Sequence, residues 1–212
     1  RRKTGGALLG DRIRMNAIGS PRVYMRSLAT RRSQTEIPEA LAECVLVAKA
    51  AGFDLVIAET AGIGQGDSRI IDMVDVSVYV MTSEFGAASQ LEKIDMLDFA
   101  DLVVVNKFEK RGGEDAVRDV RKQVQRNRNA WNKTPEEMPV FGTIASKFND
   151  DGVTALYRAL LDAITWALWG EARKAGAERC PGQGQFVGGQ KAHANDPPAG
   201  AGMVRYDAAR GS

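Results

Sequence analysis

The chain has 212 residues, 44% of them apolar and 26% charged, with a formal net charge of +2. These values suit one soluble globular domain with an extension, and the charge is too small to argue for a nucleic acid or an anionic membrane partner. No apolar run reaches membrane-spanning length and no signal peptide is evident, so a cytoplasmic protein is expected. The single histidine, His193, lies in a Gly/Pro-rich tail, which removes Ser-His-Asp catalysis and His-based zinc sites from the body. Cys44 and Cys180 are far apart and read as two free thiols of a reducing compartment.

In chain order, residues 1–33 are basic and Gly-containing, with Arg at eight positions. Loop plus a short helix is expected there. Residues 37–51 read as a helix with Ile37, Leu41, Cys44, Val45 and Ala48 on one face, ended by Gly52. Four continuous apolar runs read as strands: Asp54–Ala58, Val74–Met81, Leu102–Val105 and Pro139–Ala145. Helices are expected between and after them. Residues 87–99 carry Leu91, Ile94 and Leu97 or Asp98, residues 113–128 carry Val117, Val120 and Val124 inward, and residues 153–169 carry Val153, Leu156, Leu160, Leu161, Ile164 and Leu168. The outward face of 113–128 bears Arg118, Arg121, Lys122, Arg126 and Arg128 and reads as a solvated face with Glu114 supporting Arg118, a nucleic-acid surface being the alternative. Continuous rather than alternating strands separated by helices predict an α/β fold, a mostly parallel sheet with helices on both faces. Trp166 and Trp169 lie partly off the last helix's stripe and pack on a neighbouring element or at an interface. Beyond about residue 175 periodicity ends, and a disordered tail or linker over 175–212 is expected.

Two short stretches at strand ends carry the chemistry. Glu59-Thr-Ala-Gly-Ile-Gly-Gln-Gly-Asp67 places an acidic residue where open α/β sheets bind ligands. Glu59 can hold Mg²⁺ directly or through water, and Gly62 can bring a backbone N–H close to a γ-phosphate because it lacks Cβ. The bland alternative is a Gly-rich strand-to-helix turn. Asn106-Lys-Phe-Glu109 suits a guanine-base reader. The Asn braces the site, the Lys stem lies along the purine ring, and the carboxylate accepts from two N–H groups that adenine cannot offer. Asp is usual at the last position; Glu109 is one methylene longer. A chance Asn-Lys in a polar turn is the alternative. Ala145-Ser146-Lys147, then Asn149-Asp-Asp-Gly152, follow the fourth strand as a Ser-Ala-Lys type of loop closing over the base. Asp11, in Gly5-Gly-Ala-Leu-Leu-Gly-Asp11-Arg-Ile-Arg14-Met15, is either a surface charge or part of a metal shell, with Arg12 or Arg14 meeting phosphate. No Gly-x-x-x-x-Gly-Lys-Ser/Thr loop occurs in the 212 residues. Residues 1–174 therefore read as a partial G domain of something larger, which in isolation should bind nucleotide weakly or not at all.

Gly6–Met15, Glu59–Gln65, Phe99–Lys107 and the 145–156 loop resemble the G-protein chaperones of adenosylcobalamin-dependent acyl-CoA mutases, which are similar to the nickel-insertion GTPases. Tyr79–Ala100 and Arg118–Arg128 favour the form in which chaperone, cobalamin-binding and substrate-binding parts share one chain. The resemblance covers about residues 4–170. It implies a P-loop GTPase-like fold, GTP/GDP and Mg²⁺ as ligands, Asp11 and Glu59 in the metal shell, and Gly62 as phosphate sensor. Asn106, Lys107, Glu109, Ser146 and Lys147 fall at the base. A third switch falls on about 82–95, with Gln90 and Lys93 as catalytic candidates; an exposed helix residue is the alternative for Lys93. The implied partners are the cobalamin-binding and substrate-binding mutase domains, in a homodimeric parent, with adenosylcobalamin held by the mutase part. A separate chaperone and a non-catalytic interaction remnant remain as alternatives.

Overall fold

The computed structural model describes residues 16–28, 37–38, 40–60, 68–85 and 91–174. Three strands, β1 (Val78–Thr82), β2 (Leu102–Asn106) and β3 (Val140–Thr143), form one sheet in that order. Both pairings are parallel, with Val80 opposite Val104 and Val105 opposite Gly142. Four helices of the described residues accompany them: α1 (Leu41–Ala50), α2 (Met96–Phe99), α3 (Gly113–Asn127) and α4 (Asp151–Lys174). The α/β reading therefore holds, with a parallel sheet and helical crossovers.

The core lies where β2 meets α3. Val103 and Val105 are fully buried against Val117, Val120 and Val124, with Leu91, Met96 and Leu97 closing the cluster. Alternation along a strand sends Val104 to the other face. There α4 packs against β3 and β2 without joining that cluster. On this second face Val104 is buried, yet its neighbour Val80 is 58% exposed. Ile37, Ala58 and Ile70 form a separate small core beside Leu41 and Val74.

Close backbone approach fixes how helices meet the strand ends. A Cβ on Gly152 would lie 1.9 Å from the Gly142 carbonyl oxygen, and one on Gly113 would lie 2.1 Å from that of Phe108. Only glycine admits both contacts. At the opposite end of the sheet a polar clamp joins the starts of β1 and β2. The Asp101 carboxylate accepts from Ser77 N at 2.7 Å and Ser77 Oγ at 2.8 Å, while Asp101 N donates to Ser77 Oγ at 2.9 Å. The Arg128 guanidinium donates to the Ala100 and Asp101 carbonyls. Burial pushes the Asp101 carboxyl up, against the pull of Ser77 and Arg128.

Several sequence expectations are corrected. Asp54–Ala58 carries no strand ladder; Leu55 and Ile57 are exposed while Ala58 is buried. A strand needs a neighbour for its N–H and C=O groups, and none lies beside this run among the described residues. Of the helix expected over 87–99, residues 86–90 lie outside the described set; Leu91 is helical, turns follow it, and α2 comes next. Leu91, Ile94 and Leu97 recur every three residues, and the bonds Ile94 N→Leu91 O and Leu97 N→Ile94 O follow that tighter period. On α4, Leu156, Leu160, Ile164 and Leu168 are half-buried, but Val153 and Leu161 are exposed. Trp166 and Trp169 are half-buried. The support expected for Arg118 comes from Asp115, at 2.9 Å, and Asp119, at 3.4 Å, rather than Glu114. Arg121 turns inward and donates to the Val140 carbonyl at 3.2 Å. The α1 stripe stands: Leu41, Cys44, Val45 and Ala48 are half-buried, as is the adjoining Lys49, and Gly52 closes the helix with φ +82°. The 1–33 segment is described only from residue 16, where a 3₁₀ turn spans Asn16–Gly19; the tail over 175–212 lies outside the described residues.

Candidate functional site

The ends of β2 and β3 carry the base-reading candidates. β2 finishes on Asn106, and Lys107 follows with φ +58°, in the left-handed region that reverses the chain. The reversal lets Phe108 N donate to Thr143 O at 3.1 Å, across to the end of β3. Lys110 N then bonds Lys107 O, and Gly113 N bonds Lys110 O, each at 3.0 Å, which delivers the chain into α3. The Phe108 ring lies over Gly142, where an added Cβ would come within 2.6 Å of it. Turn, strand end and helix start are thus fitted to one another, with Glu109 exposed on the turn.

Asn106 joins this turn to the loop after β3. Its Oδ1 accepts from Thr143 Oγ1 at 3.1 Å and from Ala145 N at 3.2 Å. The neighbouring Ile144 N donates instead to Asp150 Oδ2 at 3.1 Å. That same oxygen accepts from Val153 N at 2.9 Å, in the first turn of α4. Lys147 N bonds Ile144 O at 2.9 Å, and Asn149 takes φ +55° to turn the chain into the helix. Ser146 and Lys147 are exposed on the resulting loop, and Phe148 is 98% exposed at its tip. The N–H groups of Ile144 and Val153 hold the Asp150 carboxyl below the usual carboxylate range.

The structure therefore brings Asn106, Lys107, Glu109, Ser146 and Lys147 to two adjacent strand ends, linked through Asn106 and Ala145. Glu59 is exposed after the unpaired 54–58 run, and Lys93 is exposed on the turn following Leu91. Asp11, Gly62 and Gln90 lie outside the described residues. Among the described residues no three His, Cys, Asp or Glu side chains gather as a metal site. A hollow of about 420 Å³ beside the turn is lined by Phe108, Glu109, Lys110, Glu114, Asp115 and Ile144, on the side where α3 begins. Lys110 reaches Glu84, after β1, at 3.4 Å.

Two residues of this arrangement were not singled out from sequence, Thr143 and Asp150. Asp150 carried a signal: an Asp just before an apolar-periodic run is an N-cap pattern. Thr143 carried none, because its partner is 37 residues away in sequence.

The parallel sheet and its helices are those of a P-loop GTPase-like α/β protein. A family model described as methylmalonyl Co-A mutase-associated GTPase MeaB matches residues 1–183. The chain belongs to that family. It is 66% identical over 168 residues to the fused isobutyryl-CoA mutase of Paraburkholderia xenovorans, covering 77% of this chain and 13% of that protein. It is 65% identical over 164 residues to the fused isobutyryl-CoA mutase of Geobacillus kaustophilus, covering 77% of this chain and 15% of that protein. A Pyrococcus abyssi protein named as a GTPase is 34% identical over 144 residues, which are 68% of this chain and 44% of that protein. The chain thus spans about one seventh of the fused mutases it matches. No helix of the described residues is long and apolar enough to cross a membrane.

Proposed function

We propose that this chain supplies the guanine-reading part of a GTP-binding and GTP-hydrolysing chaperone domain serving an acyl-CoA mutase. The observation that carries the reading is the Asn106 side chain, which ties the Asn106–Glu109 turn to the 144–150 loop at neighbouring strand ends. Family membership and the names of the fused-mutase relatives support the same class.

In this reading the base enters beside the Lys107 stem. Glu109 accepts from the two N–H groups on one edge of guanine, and backbone groups of 145–147 close over it. The extra methylene of Glu109 moves the acceptors outward by about one C–C bond relative to Asp, so the base sits further from Asn106. Mg²⁺ takes one or two carboxylates and otherwise water and phosphate oxygens. A lone exposed Glu59 fits that donor set, with Asp11 as the second carboxylate, and the ion would neutralise phosphate charge. Gly62 would sense the γ-phosphate through its N–H, and Gln90 and Lys93 would couple hydrolysis to the mutase. Phosphoryl transfer needs mainly positioning and charge stabilisation, consistent with a body free of histidine.

The cycle would gate adenosylcobalamin loading and protect the mutase, whose reaction would interconvert isobutyryl-CoA and butyryl-CoA. The cobalamin-binding and substrate-binding domains, in a homodimeric and cytoplasmic parent, would be its partners. The test is competition for a fluorescent GDP analogue bound to this chain with Mg²⁺ present. Displacement by GTP but not ATP supports the reading, and equal displacement by both refutes it.

A further inference from the structure

We infer that Asp150 is the positioning residue of the base-closing loop, a role that rests on the guanine-reading proposal above. Adjacent amides at the end of β3 are pinned by two different side chains. Ala145 N goes to Asn106 Oδ1 at 3.2 Å, and Ile144 N goes to Asp150 Oδ2 at 3.1 Å. Asn106 belongs to the base-reading turn, whereas Asp150 belongs to the start of α4. The loop that carries Ser146 and Lys147 is therefore strung between the two, with its own Lys147 N→Ile144 O bond across it.

A helix cap alone would need only the bond from Val153 N, at 2.9 Å. Here one carboxylate oxygen serves both the helix and the loop. The side chain has little freedom to do otherwise, because Asp150 is only 7% exposed. Its own backbone carbonyl is held by Thr154 N and Thr154 Oγ1, both at 3.0 Å. Gly152, two residues on in the same turn, is pressed on the Gly142 carbonyl, which seats the start of α4 against the end of β3. Displacing this oxygen frees Ile144 and lets 145–147 swing on the Asn106 bond alone. The backbone groups facing the base would then lose their fixed orientation, which penalises the ligand that uses them.

The test compares Asp150→Ser with Asp150→Asn in the full chain. Serine still caps the helix but is too short to serve Ile144 as well, while the asparagine oxygen keeps the reach to both amides. Asp150→Ser is expected to fold with a modestly lowered unfolding temperature, to keep slow amide exchange at Val153, and to lose it at Ile144. Its affinity for GDP should fall about tenfold, with ADP affinity unchanged. Asp150→Asn should restore both readouts. A serine variant with wild-type exchange at Ile144 or wild-type GDP affinity overturns the inference. If the wild-type chain shows no preference for GDP, the guanine reading fails and Asp150 loses its ligand role; the Ile144 and Val153 exchange contrast then decides whether it holds the loop. Should Asp150→Ser not fold, a pH titration of wild-type amides replaces it. The Ile144 and Val153 resonances should follow one common midpoint below the usual Asp range, and separate midpoints overturn the inference.

Discussion

One substitution, Gly→Ala, should have opposite effects at two sites on the same helix. At Gly152 in the first turn of α4, the new Cβ would lie 1.9 Å from the Gly142 carbonyl oxygen and 3.0 Å from Asp150 Oδ2. Ordinary contact begins at about 3.4 Å, so the helix start must retreat by roughly 1.5 Å from a backbone atom that no rotamer change can move. Forced overpacking of this kind costs about 3 kcal/mol, against which alanine's better helix propensity returns less than about 1 kcal/mol. At Gly170, further along α4, nothing lies within 4 Å of the added Cβ. Only the propensity gain operates there, worth about 0.5–1 kcal/mol. For a domain of this size a loss of about 2–3 kcal/mol lowers Tm by roughly 5–10 °C, and the gain raises it by a few degrees. Thermal unfolding followed by circular dichroism at 222 nm reads both. Two variants with the same sign, or Gly152→Ala within about 0.5 kcal/mol of wild type, would refute the packing of α4 on the end of β3.

Three further outcomes follow. Ser77→Ala removes both a donor to, and an acceptor from, Asp101 at a position only 1% exposed, and should cost about 2 kcal/mol in urea unfolding. Glu109→Ala should lower the preference for GDP over ADP about tenfold or more by equilibrium titration, since the two N–H groups of guanine lose their acceptor. Acidification should loosen the 144–150 loop before the α3 core. Asp150 and Glu137 are held below their usual values by backbone N–H groups, of Ile144 and Val153 and of Thr134 respectively. Their stabilisation is present above the unfolded carboxylate range and is lost as pH falls through the lowered values. Asp101, pushed up by burial, acts in the opposite sense: its protonated form is favoured in the fold, so acidification relieves rather than weakens its site. Protection of the Ile144 amide, taken relative to its intrinsic exchange rate, should therefore fall as pH drops below the usual carboxylate range, while Val120 stays protected.

The legible parts of this fold are those whose partners are close in sequence. Continuous apolar strands at 102–106 and 140–143, on either side of a helix with Val117, Val120 and Val124 inward, could be read because one βαβ unit satisfies them all. The run at 54–58 has the same apolar character but no ladder. Pairing is decided by what lies beside a strand, which its own residues do not encode. Spacing by threes at Leu91, Ile94 and Leu97 is compatible with a helix and with tight turns, and between Leu91 and Leu97 the bonds follow the tighter spacing. At the candidate site, Asn106, Lys107, Glu109, Ser146 and Lys147 stood out because residue type and position at a strand end carry chemical meaning. Thr143, Gly142 and Gly152 did not, because their roles are contacts between elements: a hydroxyl on a distant amide, a ring over a bare Cα, a helix against a carbonyl.

The most direct test of the guanine-reading claim is residue-resolved. Amide spectra of the chain would be followed while GDP, then ADP, is added with Mg²⁺ to millimolar concentration, a range that registers weak binding. The account predicts that GDP shifts the resonances of residues 106–109 and 144–147 together, with one common midpoint, and that ADP leaves them in place. Equal shifts with ADP, or GDP shifts confined to other parts of the chain, would contradict it.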